Sequence, residues 1–272
     1  MKPVAFVLAS TAHGTMIVNR FDYHEVAPGQ SYGVGYTLLN QSSYNPDEAG
    51  LVRVLLDGRR QHFGDGVTVL DAGANIGVFT VDWARHMTGW GSVVAVEAQE
   101  RVFYALAGNI AVNNCLNARA VWAALSYHDE GMHIPVLDPT QPASFGSLEL
   151  CRRPETEQIG QPVDYRPSQM QWVRTASVDS MDLRRIDLIK IDVEGMEMDV
   201  LEGAKDSIVA HSPILFIENI KTGAVELQAF LDGLRYRTFA VGMNTLAIHP
   251  SDPTLQMVRT VEPASPAAPP SV

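Results

Sequence analysis

Four charged side chains stand close to the ends of two apolar segments in the second half of the chain. In "IKIDVEG" the segment ends with Asp192, with Lys190 two residues earlier and Glu194 two residues later, and "FIEN" carries Glu218. Like charges crowded into one cleft raise the pKa of a carboxyl group, which lets it act as a base near neutral pH. These residues therefore suit the removal of a proton from a hydroxyl group, and they are our candidate catalytic residues.

The four side chains are open to more than one role. Asp192 is our first candidate for the base, or for a group that positions an acceptor, and Glu218 is the second. Lys190 would pair with these acids if its side chain points inward, and Glu194 could instead cap the following helix, where an acid complements the dipole. The same carboxylates could bind Mg²⁺, which takes oxygen ligands. No ligand set is defined in the sequence, so we predict no metal site.

A glycine-containing turn follows another apolar segment, in "VTVLDAGANIG" (67–77). Gly73 permits a sharp turn, and Gly77 permits close packing where a helix begins. Free backbone N–H groups at such a helix start favour a carboxylate or a phosphate, and Asp71 could accept a hydrogen bond from an ammonium group. The predicted ligand-binding residues of this turn are Asp71, Ala72, Gly73, Ala74, Asn75 and Gly77.

The spacing of the turn distinguishes three possible ligands. A nucleoside triphosphate would need G-x-x-x-x-G-K-[ST] and a dinucleotide G-x-G-x-x-G, whereas this turn reads G-x-x-x-G. S-adenosylmethionine has no phosphate, but it has an amino acid group and a ribose. Glu97 and Ala98 end the next apolar segment, "SVVAVEA", where a carboxylate can accept hydrogen bonds from both ribose hydroxyls. NAD would also need an acid there, so the preference for S-adenosylmethionine rests on the turn.

Apolar segments that alternate with amphipathic helices must position these residues. "VTVLDA" and "SVVAVEA" are continuously apolar, as is typical of strands buried on both faces. The alternation predicts an α/β fold with a doubly wound, mostly parallel sheet, in which ligands bind beyond the carboxyl ends of the strands. Near the end of the chain, "YRTFAVG" and "NTLAIHP" flank a short turn and predict an antiparallel hairpin.

Composition divides the chain into parts. We expect an N-terminal extension of strands and a helix over residues 1–60, and the α/β domain over 61–250. Residues 126–186, rich in Pro, Gly and Gln, are too long for a passive loop and predict an insertion that covers the substrate side. The Pro- and Ala-rich end of the tail, 251–272, predicts disorder.

Several of these blocks resemble a known family. "VLDAGANIGVFT", "VVAVEA", "LIKIDVEGMEMDVLEGA" and "PILFIEN" are similar to the FkbM-type methyltransferases, a branch of the class I S-adenosylmethionine-dependent enzymes, over about residues 67–220. The resemblance implies a seven-stranded Rossmann-like sheet with a terminal antiparallel hairpin, and methyl transfer usually to a hydroxyl group. An NAD-dependent oxidoreductase and a non-catalytic S-adenosylmethionine-binding module are the alternatives, because a fold does not guarantee its chemistry.

Composition also restricts the partners. The formal net charge of -11 disfavours nucleic acid and anionic membranes, and no apolar stretch approaches the roughly 20 residues of a membrane-spanning helix. Two cysteines without a C-x-x-C pair suit a reducing cytoplasm. We therefore expect a cytoplasmic enzyme that methylates a hydroxyl of a small molecule, either a sugar or glycolipid or a polyketide-type natural product. The sequence does not indicate an oligomeric state.

Two groups of polar residues lie outside these motifs. Tyr32, Tyr36 and Tyr44 could line a pocket for a sugar or a polyketide, although half-buried tyrosines are the more usual explanation. Asn109 and Asn113 come near the end of the helix that follows "SVVAVEA", and we expect them to serve as helix-end and turn groups.

Overall fold

The computed structural model describes residues 3–258 of the chain. The prediction that the end of the tail is disordered falls on residues 259–272, which lie outside the described residues. Within residues 3–258, no helix is both long and apolar enough to span a membrane.

The chain begins with two strand pairs and two helices. They are β1 (Phe6–Thr11), β2 (Gly14–Asn19), β3 (His24–Ala27), β4 (Gln30–Tyr32), α1 (Val34–Gln41) and α2 (Pro46–Phe63). β1 pairs with β2 and β3 pairs with β4, both antiparallel. Helix α2 begins with Pro46, and Asp47 and Glu48 lie near the positive end of its dipole, which favours its start at this point.

The next elements alternate strands and helices, as expected. They are β5 (Val67–Ala72), α3 (Val78–His86), β6 (Gly91–Glu97), α4 (Glu100–Val112) and β7 (Ala118–Trp122). Strands β5 and β6 are buried along almost their whole length, in agreement with their continuous apolar sequences.

Of the next four short strands, the first directly precedes the segment predicted as an insertion and the other three lie within it. They are β8 (Ala124–Leu125), β9 (Met132–Pro135), β10 (Met170–Val173) and β11 (Thr175–Ala176). Strand β9 pairs antiparallel with β10, and β8 pairs parallel with β11. Asp22 ties the irregular residues between β9 and β10 to the start of the chain: its carboxylate accepts hydrogen bonds from the backbone N–H of Gly35 at 2.9 Å and of Phe145 at 3.0 Å.

The last part of the chain completes the α/β unit. Its elements are β12 (Leu188–Ile191), α5 (Glu197–Glu202), α6 (Lys205–His211), β13 (Ile214–Glu218), α7 (Ala224–Gly233), β14 (Arg237–Val241) and β15 (Asn244–Ile248). The central sheet has seven strands in the order β14-β15-β13-β12-β5-β6-β7. Strand β15 is antiparallel to both of its neighbours, while the pairs among β13, β12, β5, β6 and β7 are parallel. The predicted Rossmann-like sheet and terminal antiparallel hairpin are confirmed.

Helices cover both faces of this sheet. Along β12, Leu188 belongs to the apolar cluster that includes residues of α2 and α3, while Ile189 belongs to the cluster that includes residues of α5, α6 and α7. Alternation of side chains along each strand thus supplies two cores. The order of the strands reverses at β5 and β12, and this switch point is where open α/β sheets bind ligands.

Two buried polar residues fasten the N-terminal segment to this unit. Arg59 of α2 pairs with Asp187 at 3.0 Å and with Asp252 at 2.8 Å, and all three side chains are buried. Asn109, inside α4, exchanges two hydrogen bonds with the backbone of Ile17 in β2 and donates a third to the carbonyl of Ile76. The expectation that Asn109 is a helix-end group is therefore wrong, because its amide pairs with β2 as another strand would.

Candidate active site

A cavity of about 670 Å³ opens at the carboxyl ends of the central strands. Its wall combines the strand ends with residues of the N-terminal segment and residues 144–157. The titratable and hydroxyl-bearing residues that line it are Tyr32, Thr37, Tyr44, Glu97, Ser144, Ser147, Glu157, Lys190, Asp192, Glu194, Glu218 and Lys221. The volume lies within the roughly 300–1,000 Å³ of small-molecule sites.

The glycine turn after β5 needs both of its glycines. Gly73 has φ +77° and Gly77 has φ +85°, which L-residues with side chains rarely adopt. A Cβ on Gly73 would lie 1.7 Å from the carbonyl oxygen of Asp192, and a Cβ on Gly77 would lie 2.5 Å from the side chain of Leu106. Gly73 thus lets the ends of β5 and β12 meet beneath the cavity, and Gly77 lets α3 begin against α4.

The backbone N–H groups of this turn are not free, so that expectation is wrong. The N–H groups of Gly73 and Ala74 donate to the carbonyl of Val96, and that of Asn75 donates to the Glu97 carboxylate at 3.0 Å. The N–H groups of Ile76 and Gly77 also have acceptors within the turn. The turn folds back onto the end of β6, and this contact occupies the donors that an anionic ligand would need.

Asp71 and Ala72 lie behind the cavity wall rather than on it. Both still belong to β5, and the Asp71 side chain points to α3, where Thr80 Oγ1 donates to Oδ2 at 2.6 Å. Burial raises the pKa of Asp71, while the nearby Lys190 ammonium opposes that rise. The structure therefore contradicts a direct contact between Asp71 and a ligand ammonium. Of the other predicted turn residues, Gly73, Ala74 and Asn75 line the cavity.

Glu97 and Ala98 at the end of β6 both line the cavity. One carboxylate oxygen of Glu97 accepts the N–H of Asn75 at 3.0 Å, and the other accepts the N–H of Gln99 at 2.8 Å. Burial raises the pKa of Glu97 to about 7 against these two hydrogen bonds. Each oxygen keeps a lone pair for a further donor, so the carboxylate is held in one orientation with acceptor capacity to spare.

The structure brings the predicted carboxylates together. Asp192, Glu194 and Glu218 each offer an oxygen atom that lies within 4.8 Å of the others. Lys190 points inward, as expected for the pairing alternative, and its ammonium lies 2.8 Å from Asp192 and 5.3 Å from the centre of the Phe79 ring. Burial lowers the pKa of Lys190, but the attraction of Asp192 and Asp71 outweighs it and keeps the ammonium charged.

The three carboxylates differ in their partners. Glu194 pairs with Lys221, Asp192 pairs with Lys190, and the Glu218 carboxylate has neither a hydrogen bond nor an ion pair within residues 3–258. Burial, followed by the charge of Asp192, raises the pKa of Glu194 to about 7 and that of Glu218 to about 8. Glu218 is thus an unpaired carboxyl group that titrates near neutral pH.

The capping role considered for Glu194 is wrong. Helix α5 begins at Glu197 and has no side-chain cap, and Glu194 has φ +55° in the turn before it. Glu197 holds this turn instead, because its carboxylate accepts the N–H groups of Val193 and Gly195. The turn directs Glu194 toward Lys221 and the cavity.

Sequence reasoning missed several residues of the wall. Lys221 was not among the candidates. Residues 144–157 lie in the segment 126–186 that was expected to cover the substrate side, but none of them was singled out. The contribution of Ala123, Ala124 and Leu125 depends on the path of the chain after β7. Of the tyrosines, Tyr32 and Tyr44 line the cavity and Tyr36 does not. For Lys221 a signal existed, since it follows Glu218 by three residues at a strand end, but its partners lie far away in the sequence.

Comparison with known proteins places the chain among methyltransferases. A sequence model described as the methyltransferase FkbM domain matches residues 71–239, which is more than half of the chain. The protein "Methyltransferase 1" of Beauveria bassiana (strain ARSEF 2860) is 28% identical over 156 residues, which cover 53% of this chain and 61% of that protein. The chain thus spans about three fifths of the length of this relative.

The solved structures that match this chain are more distant in sequence. The methyltransferase FkbM of Methylobacillus flagellatus KT superposes with a TM-score of 0.49 at 16% identity, and the match covers 68% of this chain and 44% of that one. The precorrin-6y C5,15-methyltransferase of Geobacter metallireducens GS-15 superposes with a TM-score of 0.42 at 13% identity and covers 73% of this chain and 86% of that one. On the strength of the family match across residues 71–239, this chain belongs to the FkbM family of methyltransferases.

Proposed function

We propose that this chain is an S-adenosylmethionine-dependent O-methyltransferase that acts on a hydroxyl of a small molecule, either a sugar or glycolipid or a polyketide-type natural product. The observation that carries the proposal is the composition of the cavity wall. A carboxylate beside the glycine turn, Glu97, faces the same cavity as the unpaired carboxyl group of Glu218. Glu97 suits the hydroxyls of a ribose, and Glu218 suits an acceptor hydroxyl that must lose a proton.

The acidic wall suits the sulfonium and ammonium groups of S-adenosylmethionine, which are both cationic. The carboxylate of S-adenosylmethionine must be bound by donors other than the N–H groups of residues 73–77, which already have acceptors. Five carboxylates line the cavity against two lysines, and both lysines are already ion-paired. In our proposal Glu97 accepts hydrogen bonds from the ribose, and Gly73, Ala74, Asn75 and Ala98 contact the cofactor. When bound, the cofactor supplies an electrophilic methyl group.

The same wall disfavours NAD, the alternative from the sequence. A pyrophosphate needs free N–H donors or unpaired cations, whereas the five N–H groups of residues 73–77 are occupied and the carboxylates outnumber the lysines. These observations support the methyltransferase over the oxidoreductase. Mg²⁺ is not part of the proposal, because Asp192 and Glu194 each already have a lysine partner.

We propose Glu218 as the base and Asp192 as a positioning group, which reverses the order expected from the sequence. An ammonium at 2.8 Å stabilises the ionised form of Asp192, which weakens it as a base. Glu218 lacks such a partner, and its raised pKa favours proton uptake near neutral pH. Lys190 would hold Asp192 in place and limit the repulsion between the carboxylates.

The wall away from Glu97 suits an acceptor with a hydroxylated ring and an apolar part. Tyr32 and Tyr44 offer aromatic faces, and Ile220 and Met243 are apolar side chains more than half exposed at the cavity. The charge of the chain remains unfavourable for nucleic acid. Cys115 and Cys151 are free, which is compatible with the cytoplasmic location that we propose.

Calorimetry tests the cofactor directly. S-adenosylmethionine titrated into the full chain should bind with 1:1 stoichiometry, and NAD should not. Glu97→Ala should weaken S-adenosylmethionine binding about tenfold or more, because two ribose hydroxyls lose a charged acceptor.

The matched control is Glu100→Ala, three residues further on. Glu100 accepts a hydrogen bond from Tyr104 on the surface of α4 and does not line the cavity, so its removal should leave the affinity unchanged. Saturable binding of NAD with no heat from S-adenosylmethionine would refute the proposed cofactor.

A further inference from the structure

Lys221 stands where three separate parts of the chain meet over the active-site cavity. Its ammonium lies 3.1 Å from Glu157, 3.5 Å from Glu149 and within hydrogen-bond distance of Glu194, and it donates to the carbonyl of Ser147 at 3.3 Å. Its own backbone carbonyl accepts a hydrogen bond from Arg153 at 2.6 Å. A single side chain thus joins the loop after β13 to the turn after β12 and to residues 147–157.

The contacts continue from Lys221 to the N-terminal segment. The other carboxylate oxygen of Glu157 accepts a hydrogen bond from the Tyr32 hydroxyl at 2.6 Å, and that hydroxyl lies 3.3 Å from Ser147 Oγ. Tyr32, Ser147, Glu157 and Lys221 all line the cavity. We call these four residues, together with Glu149 and Glu194, the Lys221 cluster.

The positive charge of Lys221 is neutralised by the carboxylates of this cluster. Burial lowers its pKa, but the attraction of Glu194 and Glu157 outweighs that effect, so the ammonium stays charged although its side chain is only 11% exposed. Three carboxylates share one ammonium, so no positive charge remains for a carboxylate or phosphate of an acceptor. Lys221 is therefore suited to hold the wall and not to bind an anionic substrate.

We propose that Lys221 is the positioning residue of the acceptor subsite. It fixes residues 147–157 and Tyr32 over the cavity and directs Glu194 beside the base, and so sets how tightly an uncharged hydroxylated acceptor is held. This inference rests on the proposed function for the meaning of acceptor binding, but the ordering of the wall stands on the contacts alone.

The test compares two variants. Lys221→Met has an uncharged side chain of similar length, and Lys221→Arg keeps the positive charge. The control is Lys205→Met, which removes an exposed lysine that pairs with Glu202 at 3.5 Å. At saturating S-adenosylmethionine, with p-nitrophenyl β-D-glucopyranoside as a neutral acceptor, Lys221→Met should raise KM about tenfold or more and change kcat less. Lys221→Arg should restore most of the affinity, and Lys205→Met should behave as wild type.

A second measurement needs no turnover. Amide hydrogen exchange in residues 144–157 should speed up about tenfold in Lys221→Met, while exchange in β12 stays as in wild type. Glu157→Gln, which removes one half-exposed carboxylate, should give the same change to a smaller degree even if Lys221→Met does not fold.

The outcomes separate the two proposals. Unchanged exchange in residues 144–157 of both Lys221→Met and Glu157→Gln would overturn the positioning role, whatever the activity. A fall in kcat at unchanged KM would do the same. If wild type binds S-adenosylmethionine but does not methylate the glucoside, a simple glucoside is excluded as the acceptor, and the exchange experiment still decides the role of Lys221.

Discussion

At the scale of single residues, an ion pair distinguishes the two carboxylates that could act as the base. Asp192, Glu194, Glu218 and Lys190 converge at the cavity, as their positions at strand ends required. Glu218 replaces Asp192 as our first candidate for the base, because the Lys190 ammonium pairs with Asp192 and not with Glu218. Spacing along a chain indicates which residues meet, but a distance of 2.8 Å decides which of them remains free.

The proposed base makes a prediction about pH. Burial raises the pKa of Glu218 to about 8, so the group is mostly protonated at lower pH and cannot accept a proton. The value of kcat/KM should therefore rise with pH and level off above about pH 8. In Glu218→Gln, kcat should fall about a hundredfold or more while S-adenosylmethionine affinity stays nearly intact.

Asp192→Asn is the matched comparison for that variant. It leaves Glu218 in place, so it should reduce turnover and keep a rising pH profile, measured as S-adenosylhomocysteine formed per enzyme. A Glu218→Gln enzyme with wild-type turnover would contradict the assignment, and complete loss of turnover in Asp192→Asn alone would restore Asp192 as the base.

At the scale of elements, the strands of the central sheet and the glycine turn were predictable, because burial on both faces and two obligatory glycines leave clear patterns. The occupation of the N–H groups of residues 73–77 was not predictable, because their acceptors belong to β6 and to the turn itself. The conformation of residues 136–166 was not predictable either. These residues form neither a helix nor an extended strand, and side chains from elsewhere in the chain, such as Asp22, hold them in place.

Asp22 should therefore contribute more to the stability of the fold than an acidic residue in a loop usually does. Asp22→Ala leaves the N–H groups of Gly35 and Phe145 without their acceptor, at about 1–3 kcal/mol for each buried group. We expect the free energy of unfolding, measured with urea, to fall by about 2–4 kcal/mol. Asp65→Ala, which removes an exposed partner of Arg60, is the control and should cost under about 1 kcal/mol.

The pH dependence of stability checks the same residue. Burial raises the pKa of Asp22 from 3.8 to about 6, so the native chain binds this proton more tightly than the unfolded chain does. The contribution is complete below about pH 4 and is lost as the pH rises through 6. Wild type should thus lose stability relative to Asp22→Ala over that interval, and parallel curves for the two proteins would contradict the assignment.

At the scale of the whole molecule, the α/β class, the seven-stranded sheet and the terminal hairpin followed from alternating apolar segments and from the family resemblance. The attachment of the N-terminal segment to the α/β unit could not be predicted in this way, because it depends on single buried polar residues. Arg59 joins α2 to Asp187 before β12 and to Asp252 near the end of the described chain, over 128 and 193 positions of sequence. No local pattern marks such a contact.

Arg59→Met should therefore destabilise the whole fold. It leaves the buried Asp252 without its guanidinium, although Arg185 still pairs with Asp187 at 2.8 Å, and removing one partner of a buried ion pair costs about 3–5 kcal/mol. The adjacent Arg60→Met removes an exposed pair with Asp65 and should cost under about 1 kcal/mol. Equal urea midpoints for the two variants would show that the Arg59 network contributes no more than a surface ion pair.

The occupied N–H groups of the glycine turn have a consequence for competition. ATP and other phosphate compounds bind to turns with open N–H donors at the start of a helix. Here those donors are satisfied by the chain itself, and the surrounding carboxylates repel polyanions. We expect the methyl donor to meet little interference from such compounds even when they greatly outnumber it.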